Sequence, residues 1–411
     1  QSAIEKLTSE QTKLLGPKLS AAVLVVDHAT GEVLAHVGSA DYLDRDRQGA
    51  IDMTDAIRSP GSTLKPFIYG LAFEQGIAHP ETLIEDRPTR FGTYTPENFD
   101  EAFHGTVTIR EALGNSLNVP AVKVLAAVGP SRLMGRFRRV GIVPQLPANT
   151  RPSLAIALGG LGMTLKDLAT LYADLARGGE PVTLKWHRDA PTATPAAARR
   201  RLLTPVSAWY VTDILRDAPP PPNAKGGAIA YKTGTSYGYR DAWAVGFDGR
   251  HVVAVWVGRP DAASTPGLMG RLSAAPILFD AFARIAERPA PFRSAPAGAM
   301  KATGTSLPPP LKRFRGPADD AIAKGPFLDP PVLISFPPDR SELDIAEREA
   351  EPLIIKAEGG ALPLTWMVDG APVTSDPLRR EVEWQPDGRG FAKLTVIDAK
   401  GRADRVTVRL R

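Results

Sequence analysis

Ser62 and Lys65 stand three residues apart in Ser59-Pro60-Gly61-Ser62-Thr63-Leu64-Lys65-Pro66-Phe67. Residues at i and i+3 share a helix face, so the spacing lets a lysine amine take the proton of a serine hydroxyl. The stretch follows a Pro-Gly turn and precedes the apolar positions Ile68, Leu71, Ala72 and Phe73, with Gly76 as a C-terminal stop. Pro66 fits only in a first helical turn. The spacing therefore predicts that Ser62 opens a helix, where free N–H groups favour a developing negative charge. By itself the pattern is weak, since about one Ser-x-x-Lys is expected by chance in a chain of this size. Two further polar clusters follow it: Ser116-Leu117-Asn118, and Lys232-Thr233-Gly234-Thr235.

The elements around these clusters place each where chemistry could use it. Thr108-Ile109-Arg110-Glu111 has the form of a capping box and opens a short helix that must end near Asn115. Pro120 suits N1 of a second helix, Val119–Val128, so Ser116 and Asn118 sit in a tight loop between two helices. Residues 228–236 read as a strand carrying Lys232. Residues 242–247 and 251–257 follow as strands joined by Asp248-Gly249, a strong hairpin signal. Gly234 removes a side chain where another backbone approaches. Upstream, Ile4 to Leu15 reads as an amphipathic helix, and residues 21–26 and 32–37 as a hairpin. Residues 80–105 read as irregular, and Leu165 to Leu175 as a helix. Pro276–Ala286 reads as a closing helix, and Arg199, Arg200 and Arg201 as a solvated basic face.

Composition bounds the alternatives. A chain of 411 residues with 43% hydrophobic and 23% charged residues suits two or three globular domains. A net charge of +5 and a pI near 9.3 are too diffuse to argue nucleic-acid binding. No cysteine is present, which removes disulfides, thiolate metal sites and a Cys nucleophile. Six histidines without H-x-x-x-H spacing give no reason to expect zinc. No apolar run reaches the roughly 18 residues that span a bilayer. The chain starts at Gln1, which suggests a segment whose targeting information lies upstream. Residues 289–328, rich in Pro, Ala and Gly, read as an extended linker between a domain at 1–288 (with a helical lead-in over 1–19) and one at 329–411. The latter shows period-two patterning at Val406, Val408 and Leu410, with turns at Asp369-Gly370, Asp387-Gly388 and Lys400-Gly401. Trp366 and Trp384 are expected core anchors.

Ser-x-x-Lys, Ser-x-Asn and Lys-Thr-Gly in this order form the motif set of penicillin-binding proteins and serine β-lactamases. Over roughly residues 20–285 the chain resembles the transpeptidase half of class A penicillin-binding proteins. Tyr94-Thr95-Pro96-Glu97-Asn98, Val107 to Leu113, Asn118-Val119-Pro120-Ala121 and Leu158-Gly159-Gly160 carry the likeness beyond the three clusters. The β segment with Gly359-Gly360, Pro363 to Trp366 and Val368-Asp369-Gly370 looks like the type 1C branch. The resemblance implies an α/β (α+β) fold, an antiparallel five-stranded sheet with helices on both faces, followed by a small immunoglobulin-like β domain.

It also implies roles. Ser62 would attack the carbonyl between the last two D-alanines of a peptidoglycan stem peptide. Lys65 would be the base, its pKa lowered by Lys232. Ser116 would relay a proton to the departing amine, and Asn118 would hold the acyl chain's amide. Thr233, Gly234 and Thr235, with Lys232, would bind the substrate's terminal carboxylate, and the backbone N–H groups of Ser62 and Thr235 would form the oxyanion hole. β-Lactams would acylate the same serine. No cofactor is implied. The expected location is the periplasmic face of the bacterial inner membrane, through an anchor outside this chain, and a bacterial α2-macroglobulin is a candidate partner. Class A β-lactamases hydrolyse their acyl-enzyme with a glutamate between the second and third motifs. Here Glu180 is the single glutamate between Val119 and Tyr231, in a Gly-Gly-Glu-Pro setting unlike that loop. A DD-carboxypeptidase or endopeptidase, and a non-catalytic penicillin sensor, remain as alternatives.

Overall fold

The computed structural model describes residues 1–411 except 92–93, 188–199, 223, 305, 317–330, 346–351, 374 and 387. The chain divides into two units, Gln1–Ala318 and Asp319–Arg411. In chain order the first contains α1 (Ser2–Leu15), β1 (Ser20–Asp27), β2 (Val33–Val37), α2 (Lys65–Glu74), β3 (Leu83–Asp86), β4 (Gly105–Thr108), α3 (Ile109–Gly114) and α4 (Asn118–Val128). Next come α5 (Pro130–Arg139), α6 (Leu165–Ala176), α7 (Pro205–Arg216), β5 (Ala230–Thr235), β6 (Asp241–Phe247), β7 (His251–Gly258) and α8 (Ala275–Ile285).

Five strands pair antiparallel in the order β2-β1-β7-β6-β5. Side chains along a strand alternate between faces, and here both faces are covered, so β1, β6 and β7 are apolar nearly throughout. Ala22, Leu24, Val26, Trp243, Val245 and Trp256 join the core shared with α2, α4, α6 and α7. Ala21, Val23, Val25, Ala242, Val253 and Val255 join the one shared with α1 and α8, where Ile4, Leu7, Ile277 and Leu278 are buried. The expected antiparallel sheet with helices on both faces is therefore present.

Some elements differ from the sequence reading. The stretch expected to be irregular contains β3 paired with β4. Helices α5 and α7 were not expected, although each begins at a proline suited to a first turn. Much of the expected extended linker lies against the first unit. Leu307 and Phe314 are buried, and Phe292 and Ala299 pack on the core. Of the basic cluster, Arg201 donates to Glu180 at 2.6 Å, and Arg199 lies outside the described residues, as does Asp387 of one expected turn.

The second unit contains β8 (Leu333–Phe336), β9 (Glu342–Leu343), β10 (Leu353–Glu358), β11 (Thr365–Val368), β12 (Ala371–Pro372), β13 (Glu381–Trp384), β14 (Gly390–Ile397) and β15 (Ala403–Leu410). They form two sheets, β13-β10-β8 and β12-β11-β14-β15-β9. Leu353, Ile355, Leu394, Val396, Val406 and Val408 face inward with Trp366 at the centre, and Trp384 packs at the margin.

Candidate active site

The Ser59-Pro60-Gly61 turn brings the chain to β5, the edge strand of the sheet. Gly61 has φ 54°, and a Cβ on it would lie 2.5 Å from the carbonyl oxygen of Thr235. Gly234 meets the turn from the other side, since a Cβ there would lie 2.5 Å from Pro60 O and 3.3 Å from Ser62 N. Neither position tolerates a side chain, so the two glycines let the serine turn dock on the strand. The helix was expected to begin at Ser62; instead Ser62 lies in a 3-10 turn, Gly61–Leu64, and α2 begins three residues later at Lys65. Three bonds fix this turn. Trp243 Nε1 donates to Ser59 O at 2.8 Å, Ser59 Oγ donates to Gly159 O at 2.8 Å, and Tyr172 OH donates to Thr63 O at 2.8 Å. Ser62 is partly exposed, and its hydroxyl forms no hydrogen bond among the described residues.

Lys65 is fully buried in the first turn of α2, where apolar residues surround it. Its Nζ donates to Ser116 O at 2.6 Å and to Asn118 Oδ1 at 2.7 Å, with Ser116 Oγ at 3.4 Å. Lys232 reaches the same hydroxyl from β5, with Nζ 2.7 Å from Ser116 Oγ and 2.9 Å from Thr233 O. Ser116 adopts φ 60° between α3 and α4, an uncommon backbone state for a residue other than glycine. The Thr108–Glu111 capping box is formed and sets where that loop begins. Burial and the neighbouring Lys232 push the Lys65 ammonium well below its usual pKa, partly opposed by Asp86. Burial alone brings Lys232 down to about 7. Two amines that both bond one hydroxyl, away from water, disfavour a state in which both are charged.

The structure thus brings Lys65, Ser116, Asn118 and Lys232 into one hydrogen-bonded group, with Ser62 in the turn that leads into Lys65 and docks on β5. Thr233 and Thr235 alternate with Lys232 and Gly234 along β5, and neither hydroxyl bonds Ser62, Lys65, Ser116 or Lys232. Thr235 Oγ1 instead accepts from Gly270 N at 3.1 Å. The sequence singled out Glu97 and Asn98 only for their likeness to the family, and did not tie them to Asn118. Asn118 Nδ2 donates to Glu97 O and its backbone N to Asn98 Oδ1, both at 2.7 Å. Asn98 in turn donates to Asp86. These contacts span 12 to 21 residues, and no local spacing could have revealed them.

Comparison with known proteins adds family information. Residues 21–281 match the penicillin binding protein transpeptidase domain, and residues 323–409 match the Penicillin-Binding Protein C-terminus Family. Penicillin-binding protein 1C of Escherichia coli is 44% identical over 282 residues, covering 68% of this chain and 36% of that protein. Penicillin-binding protein 1A of Neisseria gonorrhoeae is 32% identical over 291 residues, covering 64% of this chain and 35% of that protein. The chain spans about a third of the length of these curated relatives. Among solved structures, PonA1 of Mycobacterium tuberculosis in complex with penicillin V superposes with a TM-score of 0.62 at 22% identity, over 75% of this chain and 89% of that one. A peptidoglycan glycosyltransferase from Burkholderia ambifaria gives 0.55 at 25% identity, over 70% of this chain and 98% of that one.

Proposed function

Because the chain belongs to the penicillin-binding protein transpeptidase family, we propose that its first unit is a serine D-Ala-D-Ala transpeptidase that cross-links peptidoglycan stem peptides. The observation that carries this reading is the meeting of two buried lysines at the Ser116 hydroxyl, one of them Lys65 in the turn of helix that follows Ser62. Neutral Lys65 takes the Ser62 proton as Oγ attacks the carbonyl of the penultimate D-alanine. The oxyanion forms at the backbone N–H groups of Ser62 and Thr235, and loss of such a donor typically costs ~10²–10³ in rate. As the C–N bond breaks, the departing D-alanine amine takes a proton through Ser116 Oγ, resupplied by the lysines. The second hydrogen of Asn118 Nδ2 is left to hold the acyl chain. Lys232, with the Thr233 and Thr235 hydroxyls, receives the terminal carboxylate.

An amine of a second stem peptide then attacks the acyl-enzyme. Its proton passes to Lys65, Ser62 leaves reprotonated, and the cross-link is complete. β-Lactams acylate the same oxygen. Glu180 is held by Arg201 at 2.6 Å and has no bond to the lysine cluster, so it is not the base of a rapid deacylation. The substrate places this unit on the periplasmic face of the inner membrane. No helix among the described residues is long and apolar enough to cross a membrane. We assign the second unit a binding role, with a bacterial α2-macroglobulin as the partner to test by co-purification. The catalytic reading is tested by fluorescent penicillin. Labelling of the chain that vanishes in Ser62→Ala is expected, and labelling that survives this change would overturn the nucleophile assignment.

A further inference from the structure

Asp86 ends β3 as a fully buried carboxylate. Burying an anion without a partner is costly, and its usual partner would be a lysine or arginine. Among the described residues no such cation bonds Asp86. Its oxygens accept instead from Asn98 Nδ2, at 3.0 and 2.8 Å, and from His104 N at 2.9 Å. Asn98 is thereby oriented, its amide hydrogens directed at Asp86 and at Ala102 O, 2.8 Å away. Its Oδ1 is left to accept from Asn118 N at 2.7 Å and Val119 N at 3.4 Å. These are opening N–H groups of α4, which receives no side-chain cap from its own N-cap residue Leu117. Asn98 therefore caps α4 from 20 residues away, and the cap sets where Asn118 Oδ1 meets Lys65 Nζ.

We propose that Asp86 is a positioning residue for acylation: it orients Asn98, which docks Asn118 on Lys65, and through that tie its buried charge acts on the Lys65 amine. Asp86 draws the Lys65 pKa upward against burial and Lys232, and it also raises that of Tyr69. Tyr69 follows Lys65 by one turn of α2, and its buried hydroxyl has no hydrogen bond among the described residues. The titratable groups that act on Lys65 are thus Lys232 from β5 and Asp86 from β3, with Tyr69 on its own helix as a neutral neighbour. Asp86 offsets part of the repulsion between the lysines and so sets the pH above which Lys65 can act as base.

This inference rests on the reading of Ser62 as nucleophile and Lys65 as base, and one experiment separates the two. Penicillin acylation rates are measured across pH for the intact chain and two variants, with circular dichroism and melting temperature as folding controls. Asp86→Asn keeps the shape and removes the charge, so the midpoint of the rise in rate with pH moves down by about 0.5–1 unit. Asn98→Ala keeps the charge and cuts the tie, so the rate falls about tenfold or more while the midpoint stays put. A midpoint that holds still or moves up in Asp86→Asn would overturn the inference, as would an Asn98→Ala rate within about twofold of the parent. If Asp86→Asn does not fold, the Asn98→Ala rate decides. Failure of the unaltered chain to acylate at Ser62 would instead sink the underlying reading.

Discussion

Two buried carboxylates, Asp398 in the second unit and Asp86 in the first, are held on opposite terms. In the second, Asp398 sits in the turn between β14 and β15 and is neutralised on the spot. Its Oδ2 accepts from Arg402 Nε at 2.7 Å, and its oxygens take the backbone N–H groups of Ala361, Lys400 and Arg402. Its pKa falls accordingly, with those bonds outweighing burial. In the first unit, Asp86 has no such cation among the described residues, while Lys65 and Lys232 are buried with amide, hydroxyl and carbonyl oxygens for company. A charge paired at once with its neighbour stabilises a turn. Charges buried apart, with their pKa values displaced, hold a proton ready to move. The contrast sets the carboxylate tied to the lysine cluster apart from the one that holds a turn.

Substitutions can break that contrast, beginning with the largest expected effect. Lys65→Met should cut penicillin acylation by about 10²–10⁴-fold. It should leave the melting temperature of the first unit unchanged or higher, because an apolar side chain replaces a buried amine. Stopped-flow acylation and calorimetry on one sample would check both, and a large loss of stability would contradict the account. Lys232→Met should have a smaller effect on rate, about 10–10²-fold, since Lys65 retains its contacts with Ser116 and Asn118.

Asp398→Ala reverses the pattern. It orphans the turn amides and should destabilise the second unit by about 1–3 kcal/mol, visible in urea unfolding, with acylation of the first unit unchanged. Gly234→Ala forces a Cβ against Pro60 O, and overpacking of this kind costs about 1–3 kcal/mol. Its signature is a loss of stability and acylation together, unlike either lysine variant.

The smallest expected effect is a slope. Lys232 titrates near 7 when folded and near 10.5 when unfolded, and Lys65 is also displaced downward. Between those values the unfolded chain binds more protons, so stability of the first unit should rise with pH from about 7 to about 10. Lys232→Met should flatten that rise in urea titrations, and an unchanged slope would count against the displaced pKa.

Much of this arrangement was legible in the sequence, for local reasons. The β6–β7 hairpin announced itself by apolar runs around Asp248-Gly249, and the capping box at Thr108 located the loop that holds Ser116. Ser62, Lys65, Ser116, Asn118 and Lys232 stood out because three short clusters in this order match a known motif set, and the last four meet in one hydrogen-bonded group. What escaped depends on distance in the chain. The Asp86–Asn98–Asn118 tie and the bond from Trp243 to Ser59 join residues that only the folded sheet brings together. The stretch after residue 289 misled for a different reason. Proline and alanine describe how a segment bends, whereas Phe292, Leu307 and Phe314 decide that it packs. The αL backbone of Ser116 was also unreadable, since serine does not favour it and the surrounding helices impose it.

The most direct test of the central claim supplies a pentapeptide donor ending in D-Ala-D-Ala and an amine acceptor, and follows the chain and the products by mass spectrometry. The account predicts release of one D-alanine per cross-link and an acyl mass trapped on the peptide containing Ser62, both lost in Ser62→Ala. An acyl mass on any other residue, or D-alanine release that continues in Ser62→Ala, would contradict it.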